Sequence, residues 1–82
     1  MITLNNFIEK YFNNYIYNIN ITDRYVDIIN YLEIVSVSEK EIKIILKDKT
    51  LIINGINLLI KKLDKFEVLI TGNIEKVNLY EK

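Results

Sequence analysis

The spacing of apolar residues changes once along the chain, from a helical period to a strand period. Residues 3–16, TLNNFIEKYFNNYI, predict a helix with Thr3 as a plausible N-cap. One face of that helix would collect the residues that recur every three or four positions: Leu4, Phe7, Ile8, Tyr11, Phe12 and Tyr15. The several Asn residues and the absence of Ala lower its intrinsic propensity, so we expect it to pack on a sheet. A partner-binding or membrane-surface helix is the alternative.

From Tyr17 onward the period is two, which predicts an antiparallel β-meander over residues 17–80. Turn signals separate alternating runs every eight to ten residues, with a bend near Leu32-Glu33. Asp23-Arg24, Glu39-Lys40 and Asp48-Lys49 are the expected two-residue turns. The pairs that these turns set opposite each other are Ile21 with Val26, Ile19 with Ile28, Val37 with Ile42, Val35 with Ile44, Leu46 with Leu51, and Ile44 with Ile53.

The two glycines of the chain, Gly55 and Gly72, lie between apolar runs and are predicted to be structural turns. An Asn54-Gly55 turn is the usual hairpin signal, but it would pair apolar with polar residues. A turn that starts at Gly55 instead sets Ile53 opposite Leu58, and we prefer this register because it keeps apolar with apolar. A glycine bulge in one longer strand is the remaining alternative. Gly72-Asn73 is predicted to be a second such turn, with Val68 opposite Val77 and Phe66 opposite Leu79.

These elements predict one domain, residues 1–82, of a mainly β class with an N-terminal helix and about eight short strands. Whether the curled sheet forms a sandwich or an open barrel stays open at this stage. One face of the sheet is nearly all apolar and is the predicted core. Its members are Val35, Val37, Ile42, Ile44, Leu46, Leu51, Ile53, Leu58 and Ile60.

The opposite face of the predicted sheet carries an apolar stripe among lysines. Its apolar members are Ile34, Ile45, Ile52 and Leu59, which we take as a candidate interaction face. The N-terminal helix or the curl of the sheet could cover this stripe, and a subunit or partner interface is the other interpretation. The two unpaired edges of an open meander offer a further docking route.

Composition removes most other function classes. Eleven basic and eleven acidic residues give a net charge of zero, which does not provide the clustered positive charge of a nucleic-acid binder. The chain has no His and no Cys, so it lacks the commonest general base, the thiol nucleophile and the usual zinc ligands. We therefore predict no catalytic, cofactor-binding or metal-binding residues. No apolar run approaches the roughly 20 residues that span a bilayer, and the absence of Cys fits the intracellular, cytoplasmic address that we expect.

The stretch around the glycines resembles the YabP/YqfC family of small sporulation proteins of endospore-forming Firmicutes. The residues that carry the resemblance are NGINLLIKKL (54–63) and FEVLITGNIEKV (66–77), and INYLEIVSVSEKEIKI (29–44) is similar to the YqfC branch. Glycine is usual in the family's turns where this chain has Asp23, Glu33 and Lys49. The helix also runs almost directly into the first strand, so the chain resembles a diverged or shortened member.

The resemblance implies a non-catalytic protein made in the mother cell during sporulation. It would work in spore cortex or envelope assembly with a protein partner that is itself in the membrane, and could lie at the membrane through that partner. The alternative, from a different class, is a structural β-protein that assembles with itself edge to edge.

Overall fold

The computed structural model describes residues 16–81, which form one antiparallel sheet of six strands. The predicted β class is therefore confirmed, whereas the prediction of about eight strands is wrong. The strands are β1 (Asn18–Ile21), β2 (Tyr25–Ile29), β3 (Glu33–Val37), β4 (Glu41–Ile45), β5 (Lys49–Leu63) and β6 (Glu67–Glu81). Their order across the sheet is β1-β2-β6-β5-β4-β3, and the sheet does not close. The predicted helix over residues 3–16 lies outside the described residues, apart from Ile16.

Two short hairpins flank a long central one. The β1–β2 hairpin turns at Asp23-Arg24 and pairs Ile21 with Val26, as predicted. β2 then pairs with residues 67–71 of β6. On the other side, the β3–β4 hairpin turns at Glu39-Lys40, and β4 pairs with residues 50–54 of β5. Polar two-residue turns between alternating runs were thus sufficient signals for both outer hairpins.

The first correction concerns β3. Ile34, not Val35, lies opposite Ile44, because the register shifts between Ile34 and Ser36. A bulge adds one residue to the strand, so the residues before it change face. Val35 and Val37, both predicted to be core, are 49% and 54% exposed. β3 is the edge strand of the sheet, and an edge cannot bury its residues as a central strand does.

The second correction concerns the β4–β5 turn, which lies at Lys47-Asp48 and not at Asp48-Lys49. Ile44 pairs with Leu51, where the sequence predicted Ile53. The slip is two residues, and side chains alternate with a period of two, so every side chain keeps its predicted face. This is why the predicted core residues of β4 and β5 are buried although their partners differ.

The third correction concerns the glycines, which are not turns. β5 and β6 each run for 15 residues, through Gly55 and Gly72 respectively. Val77 therefore pairs with Ile53, and Leu79 with Leu51, instead of with Val68 and Phe66. The register shifts between Asn54 and Gly55 and again between Ile56 and Leu59, so the bulge alternative describes this region.

The glycines allow the two long strands to approach closely at this irregular point, which we call the glycine crossing (residues 55–58 and 72–74). A Cβ atom on Gly55 would lie 2.2 Å from the carbonyl oxygen of Asn73, and one on Gly72 would lie 2.8 Å from that of Asn57. Gly72 has φ 138°, and Asn57 has φ 57°. Glycine is required here because backbone occupies the space of a side chain.

The turns of both outer hairpins are hydrogen-bonded to the glycine crossing. The amides of Gly72 and Ile74 donate to the carbonyls of Arg24 and Asp23. On the opposite side, the amides of Gly55 and Leu58 donate to the carbonyls of Lys40 and Glu39, at 3.0 and 2.8 Å. The two sides of the molecule therefore correspond: β1 to β3, β2 to β4, and β5 to β6.

One hydrophobic core joins the two sides. Its buried residues come from β2, from β4 and the residue after it, and from both long strands: Val26, Ile28, Ile42, Ile44, Leu46, Leu51, Ile53, Leu58, Val68 and Ile70. These residues are 0–5% exposed, so the apolar face on the β2 side and the apolar face on the β4 side must both be covered. The two sides also contact each other directly, because the Tyr17 hydroxyl before β1 donates to Asp48 in the β4–β5 turn and the Tyr31 hydroxyl before β3 donates to the Asp64 carbonyl in the β5–β6 turn. Predicted core residue Ile60 is partly buried against this cluster.

Candidate interaction surfaces

The structure separates the four residues of the predicted interaction face. Ile34 pairs with buried Ile44 and packs against the core, because of the bulge in β3. Leu59 is 59% exposed and pairs with Thr71, beyond the glycine crossing. Ile45 and Ile52 remain together on the outer face, one row apart on neighbouring strands. Two of the four residues thus form a continuous surface.

Tyr80 extends this surface to a third strand. Thr50 pairs with Ile45 on one side and with Tyr80 on the other, while Ile52 pairs with Lys43 and Asn78 in the next row. We call Ile45, Ile52 and Tyr80 the outer patch. Tyr80 is 50% exposed, and both isoleucines are partly buried. Tyr80 could not be assigned to this patch from the sequence, because its partner Thr50 follows from the corrected register.

Four strand edges are unpaired among the described residues. The outer strands β1 and β3 each have one neighbour. In addition, residues 59–63 of β5 pair with β6 alone, and residues 73–81 of β6 pair with β5 alone. The folded sheet therefore has two lateral openings. We call them the β1–β6 seam, between β1 and residues 73–81, and the β3–β5 seam, between β3 and residues 59–63.

Both seams expose side chains that point toward the core side of their strands. Leu79 pairs with buried Leu51 and is 48% exposed, and Ile21 pairs with buried Val26 and is 50% exposed. A groove of about 490 Å³ lies in the β1–β6 seam, with Ile21, Ile74 and Val77 among its lining residues. In the β3–β5 seam the corresponding exposed residues are Val37 and Leu63, which pair with buried Ile42 and Val68.

A small cluster of charged residues lies on the outer face of β2, β5 and β6. Lys62 Nζ is 2.9 Å from Glu67 Oε1, and Oδ1 of Asp27 is buried without a hydrogen-bond partner. Desolvation, followed by the hydrogen bond and negative charge of Glu67, raises the pKa of Asp27. Hydrogen bonds from Lys62 and Asp27 lower the pKa of Glu67. Asp27 is therefore the carboxyl of this pair that holds a proton more readily.

Hydrogen bonds also fix the ends of the two seams. Tyr17 Oη donates to Asp48 Oδ1 at 3.1 Å, which ties the start of β1 to the β4–β5 turn. Tyr31 Oη donates to the Asp64 carbonyl at 2.5 Å, which ties the segment before β3 to the β5–β6 turn. Asp64 Oδ1 in turn accepts the amides of Phe66 and Glu67, and these bonds lower the pKa of Asp64.

The remaining features of residues 16–81 concern metal ligands, a second depression and membrane-spanning helices. In this part of the chain no three side chains of metal-binding type come together. A second shallow depression of about 280 Å³ lies over Asn20, Tyr25, Asp27, Leu69 and Thr71. Nor does this range contain a helix long and apolar enough to cross a membrane.

Comparison with known protein families identifies a relationship. The model of the YabP family matches residues 14–82, which is most of the chain and includes both glycines. No curated protein and no solved structure matches.

Proposed function

The chain belongs to the YabP family, and from this premise we propose that it is a non-catalytic assembly protein of sporulation. Membership in this family is consistent with a role in sporulation. The proposed protein works in the mother cell in spore cortex or envelope formation. It binds a partner that is itself a membrane protein, and it is held at the membrane by that partner.

The observation that carries the proposal is the outer patch. Ile45 and Ile52 are diagonal neighbours on adjacent strands, with Tyr80 across Thr50, and polar residues such as Lys43 and Asn78 border them. An apolar centre with a polar border is typical of protein–protein interfaces, in which tyrosine is also enriched. The chemistry of the chain agrees with binding, because the sequence has neither His nor Cys.

The test compares two lysine variants in sporulating cells. Ile45→Lys with Ile52→Lys places two charges in the outer patch, and Leu59→Lys places one on the outer face beyond the glycine crossing. We expect the double variant to recover at least 10-fold less of the membrane-protein partner than wild type, and to yield fewer heat-resistant spores. Leu59→Lys should behave like wild type. The thermal midpoint of each purified variant verifies that it is folded.

Equal recovery of the same membrane protein by the folded double variant would refute the outer patch as the binding surface. Loss of binding in Leu59→Lys alone would move the surface to the other half of the sheet. Normal spores from a strain that lacks the whole chain would refute the role in sporulation.

A second candidate function is edge-to-edge self-assembly into a structural polymer. The unpaired edges support it, because exposed strand edges can pair with a further chain. Val35 and Val37 give the β3 edge an apolar character. Sedimentation over a concentration series decides between the candidates. Self-assembly predicts growing species that Val37→Lys suppresses, whereas a protein that stays monomeric at millimolar concentration excludes it.

A further inference from the structure

The two outer hairpins repeat each other in sequence as well as in structure. Residues 21–29, ITDRYVDII, align without a gap with residues 37–45, VSEKEIKII. Their turns also have the same hydrogen bonds. Thr22 Oγ1 accepts the amides two and three residues after it, and Ser38 Oγ accepts the amides at the same two positions after it. Each position on the β2 side of the sheet therefore has an equivalent on the β4 side.

The outer faces of the two sides carry opposite charges at equivalent positions. Lys43 of β4 aligns with Asp27 of β2. Lys43 pairs with Ile52, which belongs to the outer patch. Asp27 pairs with Leu69, the equivalent apolar residue of β6. Both sides thus place a charged residue across from an apolar one, but the sign of the charge is reversed.

The charges on the β2 side are compensated within the molecule. The Glu67 carboxylate is hydrogen-bonded to Asp27 and, at 2.9 Å, to Lys62 Nζ. Lys62 pairs with Leu69 from the other side of β6, so the acidic and basic groups meet around this one apolar residue. The outer face of the β2 side therefore needs no charged group from outside.

Lys43 is the uncompensated charge at the border of the outer patch. Its side chain is partly buried, and it forms no ion pair within the described part of the chain. Two carboxylates share this outer face. Glu41, two positions earlier on β4, accepts a hydrogen bond from Asn54, and Glu33 lies opposite Ile45 on the exposed edge strand. A carboxylate from a partner would therefore complement the Lys43 ammonium, and more strongly once the partner excludes water.

The geometry of the patch sets the spacing of the groups that fit it. Lys43 and Ile45 are two residues apart on one strand, so their side chains leave the same face about 7 Å apart. A helix presents side chains three or four residues apart at about 5–6 Å, and a strand presents alternate side chains at about 7 Å. An acidic residue beside an apolar one, at either spacing, can thus reach the ammonium and the apolar patch together.

We propose that the outer patch binds a segment of the partner in which an acidic residue lies beside apolar residues. The carboxylate meets the Lys43 ammonium, and the apolar side chains lie on Ile45, Ile52 and Tyr80. This inference rests on the proposed function, because it names the chemistry of the partner at the same patch. Lys43 is then a specificity-determining residue that rejects a basic segment by like-charge repulsion. The equivalent face around Leu69, whose charges are already compensated, does not bind this segment.

The first test measures how much of the membrane protein bound by the wild-type chain is recovered by variants from sporulating cells. Lys43→Glu should lower recovery about 10-fold or more, and Lys43→Arg should keep it within about 2-fold because the positive charge remains. The matched control, Lys61→Glu, makes the same charge change at an exposed position of β5 outside the patch and should behave like wild type. The thermal midpoint of each purified variant verifies that it is folded.

This assay separates the failure of the inference from the failure of the proposed function. Wild-type recovery by a folded Lys43→Glu variant would overturn the requirement for a carboxylate. If Ile45→Lys with Ile52→Lys loses the same membrane protein, the proposed function stands without it. An equal loss in Lys61→Glu would also overturn the inference, because the effect would then follow from net charge and not from the position of Lys43.

Coupling with a water-soluble carbodiimide identifies the group that Lys43 meets, because the reagent joins an amine directly to a carboxylate in contact with it. We expect a cross-link from Lys43 to an Asp or Glu of the membrane protein, and we expect it to disappear in Lys43→Arg although that variant still binds. A wild-type complex without this cross-link would overturn the contact. A cross-link from Lys43 to Asp27 or Glu67 of another copy would show that a second chain occupies the patch, which also contradicts the proposal.

Discussion

Replacing Gly55 with alanine would test whether the glycine crossing requires a residue without a side chain. The added Cβ would lie 2.2 Å from the carbonyl oxygen of Asn73 and 2.9 Å from Leu58 Cδ2. An ordinary contact is 3.4 Å or longer, so the backbone of β6 has to move by about 1 Å. That backbone is held in place, because the neighbouring amide of Ile74 donates to the Asp23 carbonyl, and β5 cannot easily retreat, because the amide of Gly55 donates to the Lys40 carbonyl.

The expected cost follows from overpacking. Forcing extra atoms into a close-packed site costs about 1–3 kcal/mol, and more where backbone must move. We expect about 3 kcal/mol for Gly55→Ala, a large part of the roughly 4–12 kcal/mol that stabilises a chain of this size. For a domain of 60–100 residues this lowers Tm by about 12–24 °C. Gly72→Ala should cost a similar amount for two reasons, its φ of 138° and the nearby Asn57 carbonyl oxygen.

Denaturant unfolding of the two single variants and the double variant provides the measurement. Both glycines lie at one crossing, so the first alanine already opens it and the second should cost less than it does alone. Asn78→Ala on the outer face of β6 is the control and should change the free energy of unfolding by less than about 0.5 kcal/mol. A Gly55→Ala variant within 0.5 kcal/mol of wild type would refute the close approach, as would strictly additive costs.

Three further predictions concern single side chains. Asp27→Asn should stabilise the protein at neutral pH. Because the pKa of Asp27 is raised in the folded protein, its stabilising contribution is fully present below the unfolded-state pKa and is lost as pH rises through the folded pKa. The Asn amide does not ionise, so the variant has no such loss. Thermal melts from pH 3 to 8 should show this advantage disappear in acid, and an equal advantage at all pH values would contradict it. Asp64→Ala should destabilise the protein at neutral pH, because the Asp64 carboxylate accepts hydrogen bonds from two backbone amides. The variant should have no effect on stability once pH falls below the lowered folded pKa of Asp64, and a pH-independent loss of stability would contradict this. Asn57→Ala should cost about 1 kcal/mol in urea unfolding and Asn57→Gly almost nothing, since φ is 57°, and equal effects would contradict that geometry.

Local signals in the sequence were enough to locate the two outer hairpins and most of the core. Asp23-Arg24 and Glu39-Lys40 are polar pairs between alternating runs, so the turn residues and the alternation of apolar and polar positions indicate the same register there. The β4–β5 slip did no harm to the core prediction, because two residues restore the same face.

The glycines were misassigned because a missing Cβ satisfies two different needs. A glycine permits positive φ in a turn, and it also permits another strand to approach closely. The backbone atoms that approach Gly55 belong to Asn73, which is distant in sequence, so no local pattern distinguishes a turn from a close approach. The four residues of the predicted interaction face are separated in the structure because irregular points in the strands leave no local signal in the sequence. A bulge separates Ile34 from Ile45, and the crossing separates Leu59 from Ile52.

The order of the strands also determines when each part of the fold can form. β3, β4, β5 and β6 are sheet neighbours in chain order, so each can pair as soon as it is synthesised. β2 pairs with β6, whose Val68 follows Ile28 by about 40 residues. Contacts across long loops form slowly, so we expect the β1–β2 hairpin to dock last. Until it does, Val26 and Ile28 remain in water, and a nascent chain stalled before residue 67 is the species most prone to aggregate.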